Sequence, residues 1–199
     1  MGNNHLYHYT SLIKFQSIIR DNKIILSQFQ NANDFKERIK GVKTVEQSTE
    51  RYRYFSTCDD SNEKGFPIKS FLNAMMWYHY GDKCNGVCIE FDKNKMVNMP
   101  EKPIRGERVN YRNGVSHIDE QSLLEYLMEK RTCWCEENEY RFIFENVEFI
   151  DNIKDYITSI YLGINVKVDD VGKLINENIK IYKIYTDSTD GRFNRLLIR

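Results

Sequence analysis

"HLYHYTSLIKFQSIIRDNKIILSQ", residues 5–28, changes its period twice, and its reading decides the fold class. His5 to Tyr9 is strand-like and rich in aromatic rings. From Ser11 the spacing turns helical, with Leu12, Phe15, Ile18 and Ile19 on one face. Thr10 or Ser11 is placed to cap that helix with its hydroxyl. "KIILSQ" then returns to a short strand. Working outward, the mixture persists. "YRYFSTC", "GVCIEFD", "IRGERVNYRN", "NEYRFIFEN", "ITSIYLGINV" and "KIYKIYTD" read as strands. "SFLNAMMWYHYGD" reads as a helix ending near Gly81, and "VDDVGKLINEN" as another. "IDEQSLLEYLMEKR" is helical too, with Leu123, Leu124, Leu127 and Met128 on one side. "FQNANDFKER" is a polar loop. Strands and helices do not alternate strictly, so the expected class is α+β rather than doubly wound, as a single domain over residues 1–199.

Lys plus Arg and Asp plus Glu both number 29, so no global positive field argues for nucleic-acid binding. No apolar run is long enough to span a membrane, and the N-terminus lacks a basic-then-apolar signal pattern. Leu6 stands where a myristoylation signal wants Ser or Thr. A cytoplasmic location and no membrane partner are expected. The five cysteines are then expected to be reduced. Neither Cys84 and Cys88 nor Cys133 and Cys135 have zinc-knuckle spacing, and Cys88 lies in an apolar strand, so no metal site is expected. Glycine-rich phosphate loops, a nucleophile elbow and H-E-x-x-H are all absent.

What remains are local clusters: His8 in "YHYT", Ser56 and Thr57 in "YFSTC", Trp77 to Tyr80 in "MMWYHYGD", and "WCEENEYR". The last says most. On a strand, Glu137 and Glu139 would share a face, and two like charges there raise each other's pKa unless a cation compensates. Arg141 has the same parity and is placed to pair with Glu139. An ordinary strand edge held by an ion pair and a catalytic carboxylate are both consistent with that pattern.

The ordered set "LYHYTS … YFST … MWYHYGDKCNGVCIEFD … WCEENEYRFIF … IYLG" resembles, over nearly the whole chain, a bacterial family known only as a domain of unknown function. That family is grouped with the ADP-ribosyltransferase-like fold, the split mixed sheet of the diphtheria-toxin type and of DNA-targeting ADP-ribosylating toxins. The resemblance implies NAD as substrate. It implies that His8, with Tyr9 and Thr10 beside it, meets a ribose, and that Ser56 in "FST" supports the next strand. It implies an aromatic clamp on nicotinamide, for which Trp77, Tyr78 and Tyr80 are candidates. It places the catalytic glutamate at Glu139, with Glu137 two before it. Asn33 and Asp34 resemble the family's N-D-P-F-E turn, but the proline is missing here, and an Asx turn accounts for them. The activity implied is transfer of ADP-ribose to a macromolecule, RNA, DNA or protein, in a toxin or anti-phage role with a possible antitoxin or regulator. NAD glycohydrolysis is the enzymatic alternative. A non-catalytic nucleotide- or nucleic-acid-binding module is the other, with "KPIRGER" and "EKRTCW" as its basic footprint.

Overall fold

The computed structural model describes residues 4–34, 49–60, 69–114, 122–172, 174–175 and 178–199. In chain order it begins with β1 (His5–Thr10), α1 (Leu12–Asp21), β2 (Lys23–Ile25), β3 (Ser27–Gln28) and β4 (Tyr52–Asp59). Next come α2 (Ala74–His79), β5 (Val87–Asp92), α3 (Lys93–Val97), β6 (Arg105–Arg108) and β7 (Asn110–Arg112). Then follow α4 (Leu123–Leu127), β8 (Glu129–Arg131), β9 (Glu139–Glu145) and β10 (Phe149–Asp151). The chain finishes with β11 (Ile157–Leu162), α5 (Asp169–Gly172), β12 (Lys180–Thr186) and β13 (Phe193–Leu197). The fold is α+β, with a mixed, open sheet and flanking helices. It divides into two compact units: Met1–Ile24, Thr57–Met96 and Asp151–Arg199 form the first, and Ile25–Ser56 and Val97–Ile150 the second.

In the first unit β1 pairs antiparallel with β5 along its whole length, from His5 opposite Asp92 to Thr10 opposite Val87. β11 lies antiparallel on the other side of β5, and β12 runs parallel to β11, which makes the sheet mixed. Strand alternation sends Tyr7 and Tyr9 into one core with Phe71, Met76, Trp77, Cys88 and Tyr161. Ser11 proves to be the cap of α1, accepting from the Lys14 N–H, while Phe15 and Ile19 are its buried residues. Asn73 caps α2 by accepting from Met75 N and Met76 N at 3.0 and 3.2 Å. After α2 the chain turns through three consecutive left-handed residues, Asp82, Lys83 and Cys84. It then enters β5 at Gly86, where a Cβ would lie 2.2 Å from the Thr10 carbonyl oxygen. Only glycine allows that backbone approach.

In the second unit β9 is flanked by β6, antiparallel from Arg105 opposite Ile143 to Arg108 opposite Tyr140, and by β4. β4 contributes Tyr52–Ser56 here and Thr57–Asp59 to the first unit. β7 and β8 form a small parallel ladder. Phe29, Tyr52, Val109, Leu123, Tyr126, Leu127, Met128 and Ile143 make the core.

Several elements differ from expectation. "IRGERVNYRN" is broken at Val109, whose N–H bonds to Glu139 O at 3.0 Å, so one expected strand becomes β6 and β7. "KIILSQ" is likewise split at Leu26, which donates to Glu148 O. The helix expected through "EKR" stops at Leu127, because those residues pair with β7 as β8. Of the helix expected in "VDDVGKLINEN", the described residues are helical only at Asp169–Gly172. No helix among the described residues is long and apolar enough to cross a membrane.

Candidate functional site

β9 opens with Glu139 and Arg141, both pointing to one side by strand alternation. The Arg141 guanidinium grips the Glu139 carboxylate with two bonds, Nε to Oε1 at 2.7 Å and a terminal nitrogen to Oε2 at 2.9 Å. Its other terminal nitrogen donates to Leu127 O at 2.6 Å, and the rings of Tyr54 and Phe29 lie 5.0 and 5.7 Å away. A second cation completes the group. Lys130, from β8, donates to Glu137 Oε2 at 2.5 Å and to Glu139 Oε2 at 3.2 Å. Lys130, Glu137, Glu139 and Arg141 are 4, 3, 2 and 1 % exposed, so two cations and two anions form a buried, formally neutral quartet. Burial on this scale is tolerated only when charges are paired and hydrogen-bonded.

Ser56 on β4 adds a hydrogen bond to Glu139. The Glu139 N–H donates to the Tyr111 hydroxyl at 2.9 Å. Burial pushes the Glu139 carboxyl up, but Arg141 and Lys130, helped by hydrogen bonds from Arg141 and Ser56, outweigh it and hold it down at about 2. Glu139 is therefore an anion at any physiological pH. Burial, with Glu139 nearby, pushes the Tyr111 hydroxyl far up, so it stays protonated.

Glu137 reaches the cluster by a different route from the one its spacing suggested. It ends a 3-10 turn, Thr132–Glu137, and left-handed Asn138 (φ 45°) separates it from β9. The two carboxylates meet through Lys130, not through a shared strand face. The same turn brings the half-buried Trp134 ring to 5.1 Å from the Lys130 ammonium. Asp34, 1 % exposed, fixes the next residue of β8 by accepting from Arg131 N and Arg131 Nε, each at 2.8 Å. The basic side chains of "KPIRGER" and "EKRTCW" are thus largely engaged: Arg105 with Glu107 and Glu125, Lys130 in the quartet, Arg131 with Asp34.

Of the residues singled out in the sequence, Ser56, Glu137 and Glu139 are brought together in the second unit. His8, Tyr9, Thr10, Trp77 and Tyr80 belong to the first. There His8 is half-buried opposite Ile89. Thr10 is buried at the end of β1. Tyr9 donates its hydroxyl to Ser70 O and meets Trp77 edge-on at 5.0 Å. Trp77 is wholly enclosed, with Nε1 donating to Phe71 O at 2.8 Å. Tyr80 is half-buried against that aromatic cluster, whereas Tyr78 is 58 % exposed and His79 is exposed. Thr57 is a buried residue of β4. Among the described residues no group of His, Cys, Asp and Glu could hold a metal ion.

Sequence reasoning missed Lys130 and Tyr111. The signal for Lys130 was charge balance: two buried carboxylates call for two cations, and Arg141 supplies only one.

Residues 76–142 match a family model described as a protein of unknown function, DUF2971. The matched span runs from α2 into β9 and carries the whole charged quartet, while His8 and Ser56 lie outside it. No curated protein matches the chain, and no solved structure does.

Proposed function

We propose that this protein transfers ADP-ribose from NAD to a macromolecular acceptor, nucleic acid or protein. The observation that carries the proposal is the buried carboxylate pair, with Glu139 held ionised and hydrogen-bonded by Ser56 from the neighbouring strand. Perturbed, buried carboxylates held by specific partners are frequent at reaction centres. Breaking the nicotinamide–ribose bond leaves neutral nicotinamide and puts oxocarbenium character on the sugar, as in glycoside hydrolysis. A fixed anion stabilises that charge without reorganising at the moment of reaction. In this scheme the fixed negative charge of Glu139 steadies the ribosyl cation and Glu137 helps to orient the acceptor, whose nucleophilic atom bonds to the ribosyl carbon as the nicotinamide bond breaks and loses its proton to solvent.

A second reading is favoured by the depth of burial. With every charge of the quartet at most 4 % exposed and Arg141 also bonded to Leu127 O, the cluster would serve to stitch β8 and β9 together. The test is incubation with NAD labelled in the adenylate moiety and separate pools of protein, DNA and RNA, using wild type and Glu139→Gln. Label in one pool that depends on Glu139 supports transfer, and nicotinamide release without label supports hydrolysis. Neither, at saturating NAD, leaves the stitch.

A further inference from the structure

We infer that Lys130 is the positioning residue of this site: its ammonium sets the spacing of Glu137 and Glu139 and anchors the Thr132–Glu137 turn through Trp134. The inference rests on the proposed function only in what the two carboxylates do.

The geometry is that of a three-way peg. An ammonium carries three donors directed to different sides. One goes to Glu137 Oε2 and one to Glu139 Oε2, and the charge lies 5.1 Å from the Trp134 ring centroid. That distance is within the roughly 6 Å at which an indole face attracts a cation. Two of these three partners, Trp134 and Glu137, belong to the same short turn. One side chain of β8 therefore ties down the middle of the turn and its last residue while its second carboxylate contact fixes the start of β9. Several neighbouring elements among the described residues contribute to the electrostatics. Glu139 and Arg141 come from β9, Ser56 from β4 and Tyr111 from β7, while Asp34 and Arg131 hold β8. With two of its donors on carboxylates and the ring against it, Lys130 acts through the glutamates.

Three variants separate this role from simple bulk. Lys130→Met keeps length and removes charge. Lys130→Arg keeps charge but replaces the three-way donor set with a planar fork. Trp134→Phe removes the reporting indole and leaves Trp77 alone to be subtracted. NAD turnover is measured from about pH 8 to about pH 3, and Trp134 emission is followed over the same range.

Loss of a cation at this distance raises a carboxyl pKa by about 1–3 units, so in Lys130→Met the acid limb of kcat moves up into the measured range. A matching transition appears in Trp134 emission, absent from wild type, whose Glu139 titrates near 2. Lys130→Arg keeps the limb low but loses up to about 10²-fold in kcat with KM unchanged. If the limb and the emission of Lys130→Met both follow wild type, the positioning role is overturned while the proposed function stands. If no variant or wild type consumes NAD but the emission transition moves, the proposed function falls and the positioning role stands. Should Lys130→Met fail to fold, Lys130→Arg decides: wild-type kcat in that variant overturns the inference.

Discussion

Replacing Glu139 by Gln removes one anion from a buried, balanced quartet and leaves Lys130, Arg141 and Glu137 with a net positive charge. The amide keeps one acceptor oxygen, but its NH2 group faces donors already aimed at a carboxylate: Arg141 at 2.7 and 2.9 Å and Lys130 at 3.2 Å. Breaking a buried pair by removing one partner costs about 3–5 kcal/mol, a large part of the roughly 5–15 kcal/mol that holds an ordinary domain together. With a urea m-value of about 2 kcal/mol per molar, the unfolding midpoint should fall by about 2 M. The matched control is Glu125→Gln, whose partner Arg105 lies 3.2 Å away but whose side chain is 61 % exposed. That change should cost less than about 1 kcal/mol. Adding Lys130→Met to Glu139→Gln restores neutrality, so the double variant should be more stable than the sum of the singles by about 1–3 kcal/mol. Equilibrium urea unfolding by far-UV circular dichroism measures wild type and the four variants, Lys130→Met alone included. A cost below about 1 kcal/mol for Glu139→Gln, or strict additivity with Lys130→Met, would refute the neutral-quartet argument.

Other outcomes follow from single sites. Because Glu139 is held below its ordinary value of 4.5, at about 2, its contribution is complete above the unfolded pKa and is lost as pH falls through the folded one. The urea midpoint should therefore drop between about pH 5 and pH 2, and less steeply in Glu139→Gln; equal slopes would contradict this. Gly86→Ala places a methyl 2.2 Å from the Thr10 carbonyl oxygen, a backbone atom that cannot swing away, and should destabilise by at least about 2 kcal/mol in the same assay. In the native protein the exposed Cys133 should react first with a thiol reagent, while Cys88, buried and with its thiol pushed up by that burial, should react only on unfolding.

How far the sequence was legible depended on whether a signal was local. Alternation in "HLYHY", the hydroxyl cap before Leu12 and the apolar run of "GVCIEF" are set by neighbours a few residues apart, and β1, α1 and β5 appear there. The pairing of Glu139 with Arg141 was legible for the same reason, since parity on a strand follows from spacing. The helix expected through "EKR" failed because a tertiary partner, β7, captured those residues, and propensity does not see such partners. Glu137 was misplaced because a single left-handed asparagine, Asn138, intervenes before the strand, a backbone state that residue type permits but does not dictate. Lys130 was hidden by the same failed helix: as its exposed last turn it had no reason to be buried, whereas as the middle of β8 it faces the carboxylates.

The central claim is that an ionised Glu139 stabilises a ribosyl cation drawn from NAD. Its most direct test is the initial rate of nicotinamide release from NAD by wild type and Glu139→Gln, each held where circular dichroism shows it folded. Loss of one preorganised electrostatic group predicts a fall of about 10²–10³ in kcat. Nicotinamide release by Glu139→Gln at the wild-type rate would contradict it, and so would a wild-type protein that releases none.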